Sequence, residues 1–415
     1  MTTTSWRVGG GPYEHVPNQI VVGLPQLGLI ARELDALKVR HTVTATSSLL
    51  DLALVELPDP KTAATRLKKA APAAAGYPSG VVVDEVLGAL RRVFKKRYAG
   101  WTPLMGKNRY VGQLHGAQHV IHGGGDPVAL AAPLAPPTRS AGPGQGVRVG
   151  VLDTGLYPQS WLAGGWATRY SDRLSTTGVP PYAAGHATFV AGLILSQAPG
   201  ATVEVHKVFG DAGTAESWEV GEEIVRMGRS GLDVLNLSFA CYTEDGEPPL
   251  VLAAAVDRID PDVVVVAAAG NHGDIPDKRG RRNALIAQST KPAWPAALDD
   301  VIAVGAVNGR AERAPFSPNA PWIDVHAEGV EVCSTYLEKA GQPAGGSPTS
   351  FPGGWARWSG TSFAAALVSG AIAAATQQPR FPASAAARDM LEALRQDGSA
   401  LIAETEAKFL RLSLL

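Results

Sequence analysis

The sequence predicts an α/β protein with a mostly parallel central sheet, preceded by a small α+β domain. The sheet is predicted from short apolar runs bounded by turn residues, which are typical of strands buried on both faces. Helical stretches at 217–227 and 249–259 separate several of these runs, as expected for parallel strands joined by helices. The predicted strands are 146–152, 202–208, 234–239, 263–269 and 301–307.

The N-terminal domain is predicted from alternating short strands and helices. The expected elements are a strand at 18–24, a helix at 28–37, strands around Val43 and at 52–57, and a helix at 61–70. Stretches rich in Gly, Pro and Ala then mark linkers. We expect a tail over 1–17, the α+β domain over 18–75, a basic segment and Gly/Pro-rich linker over 76–145, and the main domain over 146–415.

Residues 81–120 carry many Arg and Lys side chains with aromatic residues between them. One interpretation is a surface for nucleic acid or another anionic partner. The other is the solvated face of a helix that packs through Val86, Leu87, Leu90 and Val93. We favour the helix, so nucleic acid is not a predicted partner.

Composition excludes several classes of protein. Apolar residues make up 45% of the chain and charged residues 18%, which indicates a globular protein. The formal net charge of −1 gives no overall attraction to nucleic acid or anionic membranes. Cys241 and Cys333 lie in apolar surroundings and are interpreted as buried free thiols, too few for a Cys/His metal centre. No metal site is predicted.

The N-terminal residues also suggest a location. Residues 1–7 lack the basic start followed by an apolar core that characterises a secretory signal. The apolar run at 363–375 is too short to span a bilayer. We therefore expect a cytoplasmic protein without a membrane partner.

Four polar residues stand beside predicted strand ends or at helix starts. Ser362 begins a helix of small residues, where free N–H groups and the helix dipole favour negative charge. A serine nucleophile needs a base and an orienting carboxylate. His186 opens another small-residue helix, and Asp153 follows an apolar strand. Asn271, after the strand at 263–269, carries an amide suited to an oxyanion.

In this order the four residues resemble the motifs of the subtilisin-like serine proteases. The family has Asp-Thr/Ser-Gly, His-Gly-Thr-His-Val-Ala-Gly, Ala-Ala-Gly-Asn and Gly-Thr-Ser-Met-Ala. This chain has Asp-Thr-Gly at 153–155, His-Ala-Thr-Phe-Val-Ala-Gly at 186–192, Ala-Ala-Gly-Asn at 268–271 and Gly-Thr-Ser-Phe-Ala at 360–364. The resemblance covers about residues 146–380 and implies the family's three-layer fold.

The resemblance also implies a mechanism. Ser362 would form the acyl-enzyme, His186 would transfer the proton, and Asp153 would orient the imidazole. Asn271 and the Ser362 backbone N–H would donate to the oxyanion. Ala187 and Phe189 depart from the family motif without removing a proton-transfer group. The Asn-rich loop that binds calcium in many members is missing between Leu195 and Ala198, so no cofactor is predicted.

In the family the substrate adds as a strand between two extended segments, which here would be 211–217 and 238–241. The implied substrate-binding residues are Gly213, Ser238, Phe239, Ala240, Ala268, Ala269, Gly270 and Thr290. Many members have Gly where this chain has Ala240 and, near the pocket floor, Thr290. This difference predicts a shallower pocket that prefers small or medium side chains.

Residues 18–75 resemble, more weakly, the family's inhibitory propeptide. That resemblance implies a domain that assists folding and blocks the cleft until it is cut, while a permanent accessory domain stays open as an alternative. The predicted function is a cytoplasmic processing or regulatory serine endopeptidase acting on a protein or peptide. The alternative is a catalytically silent module of the same fold used for binding.

Overall fold

The computed structural model describes residues 15–72, 81–113, 125–130, 142–175, 177–210, 213–243, 245–273, 290–341, 347–396 and 409–410. The chain forms two compact units. The N-terminal unit comprises residues up to 110 together with 216–226 and 247–258, and the second unit comprises the remainder.

The N-terminal unit is built on an antiparallel sheet. Its elements are β1 (His15–Gly23), α1 (Leu27–Ala36), β2 (Thr42–Ser47), β3 (Leu52–Glu56), α2 (Pro60–Ala70), α3 (Val82–Arg97) and the start of β4 (Met105–Gln113). The strands lie in the order β4-β1-β3-β2. The start of α2 is stabilised by residues that favour a helix N-terminus. The Asp59 side chain accepts a hydrogen bond from the Thr62 N–H at 3.0 Å, and Pro60 occupies the first turn.

Helix α3 accounts for the basic residues of this unit. Its apolar face, including Val86, Leu90 and Phe94, is buried in the same core as β1 and β3. On its other face Arg92 donates to the Ala71 carbonyl at 3.1 Å, and Arg97 pairs with Glu33 at 2.5 Å. Because α3 completes this core, the observed unit extends beyond the predicted domain at 18–75, and part of the predicted basic segment belongs to it.

The remaining elements follow one another in an α/β pattern. They are β5 (Val128–Ala129), β6 (Arg148–Asp153), α4 (His186–Gln197), β7 (Thr202–Lys207), β8 (Thr214–Glu216), α5 (Ser217–Gly228), β9 (Val234–Leu237), β10 (Phe239–Ala240), α6 (Leu250–Val256), β11 (Val264–Ala268), β12 (Val301–Val307), β13 (Val325–Glu328), β14 (Val332–Thr335), β15 (Lys339–Ala340), β16 (Thr349–Ser350), β17 (Trp355–Trp358), α7 (Thr361–Ala375), α8 (Ala383–Gln396) and β18 (Phe409–Leu410). Most of α5 and all of α6 cluster with the N-terminal unit.

The central sheet of the second unit is parallel throughout. Its seven strands lie in the order β18-β13-β12-β11-β9-β6-β7. The chain moves from β6 outward to β7, and then returns to place β9 on the other side of β6. Ligands of open parallel sheets bind at such a reversal, beyond the carboxyl ends of the strands. The predicted α/β fold with a mostly parallel central sheet and an N-terminal α+β region is confirmed.

Helix α7 is buried almost all round, as its small and apolar residues dictate. It packs closely on α4, since a Cβ at Gly370 would lie 2.8 Å from the Ile194 carbonyl oxygen. This contact fixes the helix that carries Ser362 against the helix that begins with His186. None of the helices described here is both long and apolar enough to cross a membrane.

Candidate active site

Asp153 and His186 form the best-defined contact of the site. Asp153 is the last residue of β6 and His186 the first of α4, and both are fully buried. His186 Nδ1 lies 2.6 Å from Asp153 Oδ2. A carboxylate only accepts hydrogen bonds, so Nδ1 carries the hydrogen and Nε2 is the nitrogen left for proton transfer.

Thr154 fixes the positions of Asp153 and His186 relative to each other. Its backbone N–H donates to Asp153 Oδ1 at 2.6 Å, which leaves the other carboxylate oxygen for His186. Its hydroxyl accepts from the Ala187 N–H, an otherwise unpaired donor in the first turn of α4, at 3.1 Å. The turn after β6 is therefore tied directly to the helix that presents the histidine.

Ser362 is the second residue of α7 and is fully buried. Its hydroxyl donates to the Ser238 carbonyl at 3.3 Å, and the Ser238 hydroxyl donates to the Ser362 carbonyl at 3.1 Å. Two further buried residues continue this network. Asn236 Nδ2 donates to Ser238 Oγ at 2.8 Å, and Ser369 Oγ donates to Asn236 Oδ1 at 3.1 Å. The network fastens the start of α7 to β9.

Asn271 is oriented by Thr361, the residue before the serine. Asn271 Oδ1 accepts from both the backbone N–H and the hydroxyl of Thr361, each at 3.0 Å. Thr361 Oγ1 also accepts from the Gly270 N–H at 3.2 Å. Because the amide oxygen faces Thr361, the amide N–H groups face the opposite way, as an oxyanion donor requires.

Aromatic side chains surround the His186 ring. Trp358 meets it edge to face at 5.6 Å between ring centroids, and Phe363 lies at 5.4 Å. Phe189 packs on both aromatic residues, at 5.7 and 4.5 Å. The contact between His186 and Phe363 places the first turn of α7 against the histidine. Phe189 and Phe363, which stand where the family motifs have His and Met, thus fill one apolar cluster beside the proton-transfer group.

The chain itself occupies the predicted substrate path. The end of β4 pairs antiparallel with β10, with Gln113 opposite Phe239 and Gly112 opposite Ala240. On the other side, a Cβ at Gly112 would lie 3.8 Å from the Gly213 carbonyl oxygen. Val111 is fully buried. Residues 111–113 therefore run between the two segments predicted to flank a substrate, of which 211 and 212 lie outside the described residues.

The predicted pocket residues are only partly brought together. Ala268 and Ala240 are buried in the main core of the unit, whereas Ala269 packs on Ala320 and Ile323. Gly270 has φ +97°, and a Cβ there would lie 2.6 Å from His272 Nδ1, so only glycine suits this turn.

Thr290 does not lie where a pocket floor requires a buried residue. It is exposed, and its carbonyl accepts from Trp322 Nε1 at 3.0 Å. The buried residues of this stretch are Ala293 and Trp294, and Trp294 exchanges backbone hydrogen bonds with Cys241 at 2.9 and 3.0 Å.

His272, next to Asn271, is kept neutral by its surroundings. Burial lowers the pKa of His272 to about 4, against the smaller raising effect of its hydrogen bond to the Lys291 carbonyl at 3.0 Å. Its ring meets Tyr242 edge to face at 4.7 Å. The histidine therefore adds no charge beside the proposed oxyanion donor at neutral pH.

Sequence reasoning missed the residues that hold the site in place. Asn236 and Ser369 are polar residues inside an apolar strand and a small-residue helix, and that mismatch is the signal that could have found them. Thr154 and Thr361 stand beside catalytic candidates in the motifs themselves. Trp358 carries no local signal. Among the residues that the structure describes, no group of three or more His, Cys, Asp or Glu is placed to hold a metal ion.

Comparison with known proteins agrees with this geometry. The model of the subtilase family matches residues 144–400. Subtilisin DY of Bacillus licheniformis is 33% identical over 208 residues, which are 46% of this chain and 68% of that protein. Subtilisin E of Bacillus subtilis (strain 168) is 30% identical over 284 residues, 64% of this chain and 65% of that protein.

A solved structure shares the fold. Fervidolysin from Fervidobacterium pennivorans, a keratinolytic enzyme related to subtilisin, has a TM-score of 0.56 and 17% identity, covering 97% of this chain and 60% of its own. The predicted family resemblance is confirmed. Because the family model matches well over half of the sequence, the chain belongs to the subtilase family and is a subtilisin-like serine endopeptidase.

Proposed function

We propose that this endopeptidase is a processing or regulatory protease whose N-terminal region inhibits it until that region is displaced or cut. The observation that carries the proposal is the antiparallel pairing of residues 112–113 with Phe239 and Ala240, beside the serine that would attack. A cytoplasmic location remains a prediction from the sequence.

The proposed reaction is acyl transfer to water through Ser362. His186 Nε2 would take the serine proton as the hydroxyl attacks a peptide carbonyl, and would return it to the leaving amine. Asp153, at 2.6 Å from Nδ1, supports this cycle because it stabilises the imidazolium that forms. The Ser362 hydroxyl now donates to the Ser238 carbonyl, so it must rotate toward His186 before it can react.

The proposed inhibition rests on occupancy of the cleft. Main-chain pairing at an exposed strand edge is a general way to bind an extended peptide, and residues 112–113 pair in this way with β10. His186 and Ser362 are both fully buried. A substrate strand needs the same edge of β10, so it competes with the chain's own residues.

A hydrogen-bond network inside the N-terminal unit holds the first part of β4. Asn108 Oδ1 accepts from the Ser217 hydroxyl at 3.1 Å and the Trp218 N–H at 3.2 Å, which caps the start of α5. Asn108 Nδ2 donates to Gln19 at 2.7 Å and to Glu216 at 2.9 Å. Because Asn108 is fully buried, this cap fixes β4 three residues before Val111.

The proposed substrate is a polypeptide with a small or medium side chain before the scissile bond. Ala240 supports this preference, since it stands where many relatives have Gly. Cleavage of a randomised peptide library tests it. Enrichment of Ala, Ser, Val or Leu before the cut is expected, and cleavage dominated by large aromatic residues contradicts it.

Gly112 offers a direct test of inhibition. A proline there has no N–H to offer a neighbouring strand and is disfavoured in a paired strand, whereas alanine meets only ordinary contacts at 3.8 and 3.9 Å. We expect Gly112→Pro to raise the rate of Ser362 labelling by a fluorophosphonate at least tenfold in the uncut chain. Gly112→Ala should label like the wild type. Equal rates for all three proteins would contradict inhibition by this strand.

A further inference from the structure

Tyr336 lies directly behind the turn that leads into His186. It follows β14, and its side chain is among the largest that are fully buried. The ring lies against Gly185, the residue before His186, because a Cβ there would lie only 2.2 Å from Tyr336 Cε2. The hydroxyl donates to the Tyr182 carbonyl, where the same turn, a short 3₁₀ helix at Tyr182–Gly185, begins. Tyr336 therefore contacts both ends of the turn that precedes the histidine.

The residue before Tyr336 holds the other side of His186. Thr335 is the last residue of β14, and its hydroxyl donates to the Thr188 carbonyl at 2.8 Å. Thr188 lies in the first turn of α4, two residues after His186. Two consecutive side chains thus bond carbonyl groups before and after the histidine.

The position of Tyr336 is itself fixed. Its backbone N–H donates to the Gly354 carbonyl at 2.6 Å, and Gln159 Nε2 donates to the same carbonyl at 3.0 Å. Phe351 meets the Tyr336 ring edge to face at 4.6 Å between ring centroids. Burial raises the pKa of Tyr336 well above its ordinary value, so the hydroxyl keeps its hydrogen and remains a donor at neutral pH. Tyr336 can therefore act as a fixed support for the turn.

The turn and the aromatic residues around it decide where the imidazole lies. Tyr336 meets Trp358 edge to face at 5.9 Å, and Trp358 meets His186 in the same way at 5.6 Å. A displacement of the turn would also move His186 Nδ1 relative to Asp153 Oδ2, which lies 2.6 Å away. Catalytic groups must be held within about 0.5 Å of their productive geometry, so a small movement is enough to lower the rate.

We propose that Tyr336 is a positioning residue that holds the His186 imidazole against Asp153. It does so through its hydroxyl bond to the Tyr182 carbonyl and through the contact of its ring with Gly185. Because Tyr336 is fully buried, it acts through the turn and not through contact with a substrate. The inference rests on the proposed role of His186 as the proton-transfer group.

The first test observes His186 directly, by NMR of the full-length Ser362→Ala protein labelled with ¹⁵N-histidine. The hydrogen on Nδ1, identified by its loss in His186→Gln, should exchange with water at least tenfold faster in Tyr336→Phe, because the turn opens more often. Tyr98→Phe is the matched control, since it removes a hydroxyl that donates to Glu33 Oε1 at 3.0 Å, and it should leave the exchange rate unchanged. Equal exchange rates in the two variants overturn the inference.

The second test measures reactivity in the full-length protein with Ser362 intact. Tyr336→Phe should lower the maximal rate of fluorophosphonate labelling at least fivefold, without changing the probe concentration that gives half of that rate. A folding defect would lower the amount of protein that can be labelled and not its rate. Tyr98→Phe should label like the wild type. An unchanged maximal rate in Tyr336→Phe refutes the inference.

Gly185→Ala tests the contact with the ring. Its backbone, with φ −80° and ψ −2°, suits alanine, so the substitution acts mainly through the added Cβ. That atom meets the Tyr336 ring in the wild type and has room in Tyr336→Val. Gly185→Ala should slow labelling at least tenfold in the wild type and less than threefold in Tyr336→Val. Equal losses in the two backgrounds would overturn the contact, because residues that do not interact have additive effects.

His186→Ala separates this inference from the proposed function. Labelling of His186→Ala at the wild-type rate refutes the proposed reaction, while faster exchange of the Nδ1 hydrogen in Tyr336→Phe still supports the positioning role. Slow labelling of His186→Ala together with a wild-type maximal rate in Tyr336→Phe keeps the proposed reaction and refutes the inference.

Discussion

His186 Nδ1 lies 2.6 Å from Asp153 Oδ2, and the other oxygen of the same carboxylate accepts the Thr154 N–H at 2.6 Å. Each carboxylate oxygen thus has a separate partner. This arrangement fixes both the orientation and the tautomer of a histidine whose ring is buried among aromatic side chains.

Asp153→Asn should leave the fold intact and lower kcat by about 10⁴-fold, the size known for this change in other serine proteases. The amide can donate to Nδ1 and so favours the wrong imidazole tautomer. Peptide hydrolysis gives kcat, and circular dichroism checks the fold. Asp300→Asn, at an exposed position, serves as the control. Activity within tenfold of the wild type would remove Asp153 from the mechanism.

Asn271→Ala should lower kcat by about 10² to 10³ with little change in KM, a magnitude carried over from subtilisin itself. Thr361→Val should cause a smaller loss in kcat, because the hydroxyl that holds Asn271 Oδ1 at 3.0 Å is gone. Thr361→Ser keeps that hydroxyl and should restore most of the activity. Equal losses in the Val and Ser variants would show that the Thr361 hydroxyl has no special part in holding Asn271.

Ser369→Ala should destabilise the protein by about 1–3 kcal/mol, because buried Asn236 Oδ1 loses the donor at 3.1 Å. Urea unfolding of the Ser362→Ala background measures the change without self-digestion. The Ser369 hydroxyl also lies 2.9 Å from the Ala365 carbonyl of its own helix, so the control must remove a bond of that kind. Ser196→Ala on α4 does so, since the partly buried Ser196 hydroxyl donates to the Leu193 carbonyl of its own helix at 2.7 Å. Similar effects in the two variants would mean that the network from Ser369 to Ser238 contributes no more to the free energy of unfolding than a hydrogen bond within one helix.

Stability should fall below neutral pH. Burial lowers the pKa of both His272 and His326 to about 4, and the charge of Arg313 contributes at His326. In the unfolded chain a histidine titrates near about 6.5, so between these values the unfolded state binds more protons. The contribution of each neutral histidine is complete above about pH 6.5 and is lost as the pH falls toward 4.

This loss amounts to about 2 kcal/mol per histidine between about pH 7.5 and pH 5. The free energy of unfolding of Ser362→Ala at the two pH values measures it. His272→Gln should reduce the pH dependence, because the neutral buried imidazole is gone. An unchanged slope in His272→Gln would contradict the assignment.

The sequence could predict what depends on local pattern. Apolar runs such as 263–269 identify buried strands, and the order of Asp153, His186, Asn271 and Ser362 identifies the chemistry. The end of β4 could not be predicted, because Val111-Gly112-Gln113 has no strand pattern of its own and is extended through pairing with Phe239 and Ala240. Pairing over such a sequence distance leaves no local signal.

The residues that hold the site in place could not be predicted from the neighbouring sequence either. Ser369 and Asn236 are 133 residues apart in the chain, and only the packing of α7 on β9 brings them to 3.1 Å.

Fluorophosphonate labelling of the full-length protein tests the central claim most directly, with the modified residue identified by mass spectrometry. We predict that the probe modifies Ser362, that Ser362→Ala is not labelled, and that His186→Ala is labelled at least a hundredfold more slowly. Folded protein in which Ser362 is not labelled, also when Gly112→Pro is introduced to open the cleft, would contradict the account.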